Sequence, residues 1–182
     1  MTFETLALQG HPGVHSSMAA SITARIKEVR STFIKESFGD FQHIEHRIEY
    51  VANVHGIEFI NDSRSTNINS TWFTLESMTK PIIWIAGGKD SGIDYSQVKS
   101  LLRTKIKSII FLGIDSEYLI SVISDFKIPI SDASSMEEAV ELAYLSGAMG
   151  DVVLLSPGCP SFGLFKNYEE RGNEFKKAVN QL

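Results

Sequence analysis

Three polar stretches of the sequence combine side chains that could bind an anion. They are NDSRSTN at 61–67, GGKDSG at 87–92 and SPGCPSFG at 156–163, and each follows a short apolar run. In the first, Asp62 could order a ribose, a metal-bound water or Arg64, and Arg64 could hold phosphate. Small-residue loops that lead into a helix present backbone N–H groups to negative charge. Anion binding is therefore predicted, although the third stretch could merely fix a turn.

Either Thr66 or Asn67 is also expected to cap the helix that follows the first stretch. The second stretch resembles only half of a phosphate-binding loop, and the complete Gly-x-x-x-x-Gly-Lys-Ser/Thr motif does not occur. A Gly-x-Gly-x-x-Gly fingerprint is missing too. These absences argue against a free-standing mononucleotide-binding domain, and they predict no catalysis by these residues alone.

Histidine and cysteine give no metal-site pattern. The five histidines have no ligand-like spacing with the lone Cys159, so a surface role is predicted for them and no metal is expected. Cys159 could be a nucleophile, but no histidine lies nearby in sequence. The favoured interpretation is a small residue in a tight loop.

Composition excludes several classes of protein. The formal net charge is −5 and the basic residues are scattered, so no nucleic-acid partner is expected. No apolar stretch reaches the length of a membrane span, and the first residues do not read as a signal peptide. A single cysteine fits a reducing compartment. A cytoplasmic protein without membrane contact is predicted.

Strand-like and helix-like patterns alternate from Arg47 onward, which predicts an α/β fold with a mostly parallel sheet and helices on both faces. Residues 14–36 read as helical and 38–44 as a short element, so a small helical part precedes this fold. A hairpin is predicted around His55 and Gly56. Further helices are predicted at 67–78, 95–102, 116–124, 135–149 and 165–179, and further strands at 81–88, 106–113, 128–130 and 151–156. The expected sheet core is Trp84, Ile85, Ile109, Ile110, Phe111, Val152, Val153 and Leu154.

Longer motifs carry a family likeness. In this order and spacing, HRIEYV, FINDSRSTN, IWIAGGKDSGIDYS and LLSPGCPSFGLFKNYEERGNEF resemble the C-terminal part of the Mur ligases, and within them the D-glutamate-adding branch. The resemblance implies a Rossmann-like amino-acid-binding domain at 47–182. Residues 1–46 would be the helical end of a central ATPase domain. The UDP-binding domain and the P-loop domain would be missing partners of this fragment.

The resemblance also implies a reaction and its cofactors. The full-length enzyme would use ATP and Mg²⁺ to join D-glutamate to UDP-N-acetylmuramoyl-L-alanine in peptidoglycan synthesis. This chain alone would hold neither cofactor and no metal. It would bind the amino acid and help to close over ATP.

Site residues follow by motif position. Thr66 would hold the α-carboxylate of D-glutamate, while Ser161 and the backbone near Tyr168 would hold its side-chain carboxylate. The residues that would face ATP are Arg47, Asp62 and Arg64. Motif positions that could take part in catalysis are His46 and Arg171.

Departures from the family pattern motivate an alternative. Residues 12–16 read PGVHS where the family has two adenine-contacting asparagines, and Gly163 replaces an aspartate. Ser91 stands where a lysine normally meets the α-carboxylate, so only Lys89 could supply that charge. Arg64 replaces a lysine, which keeps the charge but changes its geometry. The alternative is a diverged, non-catalytic binding or regulatory module of the same fold.

Overall fold

The structure is a computed structural model that describes residues 44–87, 93–113, 120–122 and 126–182. The chain divides into two units, Met1–Glu45 and His46–Leu182, and the elements below belong to the second. The predicted helix at 14–36, nearly all of the element at 38–44 and most of the helix at 116–124 lie outside the described residues. The described elements are β1 (Glu49–Val54), β2 (Ile57–Asn61), α1 (Ile68–Ser77), β3 (Ile82–Ala86), a 3₁₀ turn (Tyr95–Val98), α2 (Lys99–Lys105), β4 (Ile106–Leu112), β5 (Ile130–Ala133), α3 (Met136–Ser146), β6 (Val152–Leu155) and α4 (Tyr168–Val179).

A six-stranded sheet in the order β1-β2-β6-β3-β4-β5 forms the centre of the fold. Only β1 and β2 pair antiparallel, and the remaining neighbours are parallel. The predicted α/β class with a mostly parallel sheet is confirmed. The predicted hairpin is also confirmed: His55 and Gly56 take left-handed backbone angles at its turn, and Asn53 Oδ1 accepts the Gly56 N–H at 2.9 Å.

Helices cover the sheet on both faces, so its strands are apolar on both sides. On one face α1 and α2 pack through residues such as Leu75 and Leu102. On the other face α3 and α4 pack through residues such as Val140 and Phe175. Every residue of β3 and β6 is buried. All eight predicted core residues are at most 3% exposed, which confirms that prediction.

Several element boundaries differ from prediction, each for a local reason. The last helix starts at Tyr168 rather than at residue 165, because the Asn167 side chain caps it by accepting the Glu170 N–H at 2.8 Å. The strand predicted at 128–130 runs over Ile130–Ala133, and the preceding Pro129, which has no N–H, only accepts from Ile109 at 2.9 Å. The helix predicted at 95–102 begins as a 3₁₀ turn and continues to Lys105.

The adjacency of β2, β6 and β3 decides where the polar stretches lie. These three strands run parallel side by side, so their carboxyl ends open on one edge of the sheet. The stretches at 61–67, 87–92 and 156–163 follow those ends directly. Ligands of open parallel sheets bind at this edge.

Within the described residues, no helix is both long and apolar enough to span a bilayer.

We predict that Leu154→Ala lowers the free energy of unfolding by about 2–5 kcal/mol, because it opens a cavity in the centre of the sheet. Leu154 is 0% exposed, whereas Leu145 is 71% exposed and offers the same substitution as a control. Leu145→Ala should change stability by less than about 0.5 kcal/mol. Urea unfolding followed by circular dichroism measures both, and equal effects would contradict the described core.

Candidate functional site

Main-chain hydrogen bonds join the three polar stretches into one cluster. The Gly158 N–H donates to Ser65 O at 3.1 Å, which links the loop after β6 to the loop after β2. The Gly87 N–H donates to Pro157 O, also at 3.1 Å, which links the end of β3 to the same loop. The described residues of the three stretches therefore lie next to one another in the structure.

Asp62 lies at the centre of this cluster and is only 1% exposed. Its Oδ2 atom accepts hydrogen bonds from Ser65 Oγ at 2.6 Å, Thr74 Oγ1 at 2.7 Å and Ser156 Oγ at 2.9 Å. Its Oδ1 atom accepts the Ile48 N–H at 3.3 Å. Burial raises the pKa of the Asp62 carboxyl, and the hydrogen bonds from these neighbours oppose that rise. Every contact described for Asp62 is internal to the fold.

A second layer of hydroxyls and an indole supports this network. Thr71 Oγ1 lies 3.0 Å from Ser156 Oγ, and both residues are fully buried. The Trp84 Nε1–H donates to Ser156 O at 2.8 Å. Thr71 and Thr74 are three residues apart, so they project from the same side of α1. Helix α1 is thereby tied to the loop after β6 and to the sheet core.

Arg171, on α4, contacts both the loop after β2 and the loop after β6. Its Nε donates to Ser63 Oγ at 3.0 Å and its Nη2 to Ser63 O at 2.8 Å. Its Nη1 donates to Cys159 O at 3.1 Å. Ser63 Oγ in turn donates to Tyr168 O at 2.7 Å. The predicted site residue Arg171 thus touches the backbone of both loops while being 1% exposed.

Cys159 lies in the interior, between Arg171 and the end of β3. Its side chain is 0% exposed, and Sγ donates to Gly87 O at 2.9 Å. The thiol therefore lies between the loop after β6 and the end of β3. Gly87 has a φ of +99°, and a Cβ there would lie 2.6 Å from the Phe111 ring, so the close approach requires glycine.

The predicted surface role is wrong for His46, which is 3% exposed. Its Nδ1 lies 3.0 Å from Asn61 Nδ2, while Asn61 Oδ1 accepts the Ser63 N–H at 3.1 Å. This arrangement suits the imidazole tautomer with its proton on Nε2. The Asn61 amide also donates to Glu49 Oε2 at 3.0 Å. His46 is buried because its ring packs between Asn61 of β2 and Tyr168 and Gly172 of α4. Of the other histidines, His55 is described, and it is exposed.

The backbone from His46 to Ile48 is held in an uncommon conformation. Both residues have positive φ, +64° and +47°, which is costly for the β-branched Ile48. The His46 N–H donates to Glu49 Oε2 at 2.9 Å, and His46 O accepts the Arg64 N–H at 3.0 Å. With the bond from Ile48 to Asp62, these contacts fix the segment against the loop after β2.

Exposed cations border the cluster. Arg47 and Arg64 are exposed, and the Arg64 guanidinium carbon lies 5.8 Å from the centre of the Tyr168 ring. The Tyr168 ring also meets the His46 ring edge-on at 6.2 Å. A hydrogen bond to Glu169 raises the pKa of the Tyr168 phenol. These groups give the site an aromatic and basic rim.

The predicted substrate-holding residues lie in the loop after β2, in the loop after β6 and at the start of α4. Thr66 is half-buried and Ser161 is 6% exposed. Asn167 caps the Glu170 N–H, which leaves the Tyr168 and Glu169 N–H groups in the first turn without a helical partner. Ser161, Thr66 and Tyr168 thus stand on three segments that the Asp62 and Arg171 contacts hold together. Lys89 lies outside the described residues.

Sequence reasoning missed several residues that build the site. They are Glu49, Thr71 and Thr74, whereas Asn61 and Ser63 belong to the predicted stretch at 61–67 but were given no individual role. The spacing of the two threonines on one side of a predicted helix was a usable signal. Nothing in the sequence pointed to an individual role for Glu49. The described part of the chain contains no group of three or more potential metal ligands.

We predict that Gly172→Ala destabilises the fold, although alanine normally favours a helix over glycine. A Cβ at Gly172 would lie 2.2 Å from His46 Nδ1. The expected loss is about 1–3 kcal/mol, the usual cost of overpacking. Asn173→Ala, on the exposed side of the same helix, is the control. Thermal unfolding measures both variants, and a stabilised Gly172→Ala protein would show that the His46 ring lies elsewhere.

We predict a pH-dependent stability difference between the wild type and Asp62→Asn. Because the folded pKa of Asp62 is raised above 3.8, the folded state binds more protons than the unfolded state over the interval from 3.8 upward. The Asp62 contribution is therefore largest at low pH and is lost as pH rises through the folded pKa. Urea unfolding at a series of pH values gives the wild-type minus variant difference. That difference should fall with rising pH, and a rise would refute the described environment.

Curated relatives match the chain from end to end. The UDP-N-acetylmuramoylalanine–D-glutamate ligase of Porphyromonas gingivalis is 47% identical over 182 residues, which is 100% of this chain and 40% of the relative. The ligase of the same name from Bacteroides thetaiotaomicron is 45% identical over 183 residues and is covered to 41%. The chain therefore spans about two fifths of the length of these relatives.

Solved structures share the fold at low sequence identity. A pseudomurein peptide ligase type C from Methanothermus fervidus superposes with a TM-score of 0.67 at 14% identity, covering 94% of this chain and 36% of that one. The UDP-N-acetylmuramate-alanine ligase MurC from Thermotoga maritima gives 0.64 at 12% identity, covering 94% and 38%. These likenesses support the α/β architecture.

The family model described as Mur ligase, glutamate ligase domain, matches residues 46–159. The match begins at the buried His46 and ends at Cys159, so it includes the loop after β2 and the bonded part of the loop after β6. With the relatives of 45–47% identity, it shows that the chain belongs to the Mur ligase family.

Proposed function

We propose that this chain is the C-terminal part of an ATP-dependent ligase that adds D-glutamate to UDP-N-acetylmuramoyl-L-alanine in peptidoglycan synthesis. The observation that carries this is the end-to-end match to enzymes named for that activity. In support, the residues that the motifs assign to the amino acid stand on segments held together at the carboxyl edge of the sheet.

Two carboxylates of D-glutamate have candidate partners in this chain. The Thr66 hydroxyl would hold the α-carboxylate. The Ser161 hydroxyl and the Tyr168 N–H would hold the side-chain carboxylate at the first turn of α4, where the helix dipole favours negative charge. Glu169 and Glu170 lie in the same turn. Their charge disfavours loosely bound anions, so the carboxylate would need these directed hydrogen bonds.

The fit to ATP is partial. Arg47 and Arg64 are exposed cations and suit phosphate oxygens, whereas Asp62 has its oxygens occupied by four internal donors. We therefore assign Asp62 to positioning the ATP-facing segment rather than to touching the nucleotide. A MurF ligase of the same fold has been solved with ADP. When bound, ATP with Mg²⁺ would activate the substrate carboxylate as an acyl phosphate for attack by the amine.

The remaining parts of the enzyme belong to the proposal as well. A UDP-binding domain and a central P-loop domain would supply the second substrate and most contacts to ATP, so this chain alone would not turn over. The enzyme would work in the cytoplasm. His46 would shape the site from beneath Tyr168, since its ring is buried.

The alternative, a non-catalytic module, is motivated by Ser91 in place of the expected lysine. The two proposals differ in one property, which is whether the chain binds D-glutamate.

We predict that D-glutamate shifts the backbone amide signals of this chain in a ¹H–¹⁵N NMR titration, with the largest shifts near Thr66 and Ser161. L-glutamate should bind more weakly. Thr66→Ala and Ser161→Ala should each weaken binding about ten- to hundredfold, the effect of losing one hydrogen bond to a charged group. Stability should change little, because neither hydroxyl has a described structural partner.

Thr104→Ala serves as the matched control. Thr104 is exposed on α2, which leads into the amino end of β4, on the far side of the sheet from the site. Its loss should leave D-glutamate binding unchanged. If D-glutamate moves no amide near Thr66 or Ser161, the ligase proposal fails and the binding-module alternative takes its place.

A further inference from the structure

The guanidinium of Arg171 is buried without a carboxylate partner. Among the residues that the structure describes, no acidic side chain lies within ion-pairing distance of it. Its hydrogen-bond acceptors are Ser63 Oγ, Ser63 O and Cys159 O, with Cys159 Sγ at 3.9 Å, and none of them is a carboxylate. A buried charge without compensation is costly. A bound anion close to this charge would help to offset it.

Arginine keeps its charge in this position. Burial lowers the pKa of the Arg171 guanidinium, but arginine starts so far above neutrality that it remains protonated at physiological pH. The charge also lies in a medium of low polarity, where water screens it weakly. It therefore acts on neighbouring groups more strongly than an exposed lysine would.

The contacts of Arg171 lead to both predicted ligand positions. Cys159 lies two residues before Ser161, and Ser63 lies three residues before Thr66. Ser63 Oγ also bonds to the carbonyl of Tyr168. Arg171 itself is one turn beyond Tyr168, and its side chain runs back toward the helix start. The cation thus lies beneath the first turn of α4.

We propose that Arg171 is a positioning residue that fixes the two loops and supplies the buried counter-charge for the side-chain carboxylate of the bound amino acid. This rests on the proposed function. Arg171 does not touch the ligand. It orders the Ser63 and Cys159 backbones, and its field favours an anion at the Ser161 and Tyr168 donors. The cation would also offset the repulsion between this anion and the acidic Glu169 and Glu170 in the same turn.

The test separates charge from shape with two ligands. D-glutamine carries an amide in place of the side-chain carboxylate and is otherwise the same size as D-glutamate. The wild-type chain and Arg171→Gln are titrated with each ligand by ¹H–¹⁵N NMR. We expect Arg171→Gln to weaken D-glutamate binding on the order of tenfold or more and to change D-glutamine binding much less. Loss of a purely structural contact would weaken both ligands by the same factor.

Lys177→Gln is the matched control. It removes one positive charge from the same helix, but Lys177 is exposed and pairs with Glu174 at 3.5 Å. It should leave both affinities unchanged. Arg171→Lys keeps the positive charge but loses the planar guanidinium group and its fixed N–H donors. It should therefore keep the preference for D-glutamate over D-glutamine even if both ligands bind more weakly. This variant decides the matter if Arg171→Gln does not fold.

Three results would overturn the counter-charge proposal. They are equal weakening of both ligands in Arg171→Gln, an effect of Lys177→Gln as large as that of Arg171→Gln, and loss of the D-glutamate preference in Arg171→Lys. A wild-type chain that binds no D-glutamate would instead refute the proposed function itself. The two failures are therefore distinguishable.

Discussion

The buried carboxylate of Asp62 must be satisfied by hydroxyl groups and one backbone amide, and this requirement constrains the whole carboxyl edge of the sheet. Its donors belong to four separate places: the segment before β1, the loop after β2, helix α1 and the loop after β6. A donor that moved away would leave a buried anion short of a hydrogen bond, at a cost of about 1–3 kcal/mol or more. These segments are therefore held as one unit, and the groups they carry are preorganised for a ligand.

Buried and exposed charged side chains have different roles in this site. Asp62 and Arg171 are both buried, yet they do not pair with each other: hydroxyls bond to Asp62, and Ser63 and Cys159 accept from Arg171. They fix backbone positions. The exposed Arg47 and Arg64 have no comparable set of internal bonds among the described contacts. They are available to solvent and to anions, so recognition and support are carried by different residues.

Much of the fold could be predicted because it rests on local patterns. Apolar runs separated by amphipathic segments gave the strands, and the rule that parallel strands open on one edge brought the three polar stretches together. The site was harder to predict, because polar side chains in a loop are normally expected to be exposed to solvent. His46 is buried by Asn61 and by Gly172, a residue distant in sequence, and no local pattern reports such a contact. The start of α4 was missed for a related reason: Phe165 continues the apolar spacing, whereas the cap is set by Asn167.

Part of the contact between the three loops is made by main-chain atoms alone, as in the bonds from Gly158 to Ser65 and from Gly87 to Pro157. Main-chain bonds survive when side chains are exchanged. The exposed side chains of Arg64 and Phe162 can thus be replaced without dismantling the cradle that presents them. For a protein engineer, this separates two design problems: the frame can be kept fixed while its outward-facing positions are varied to change the surface that it presents.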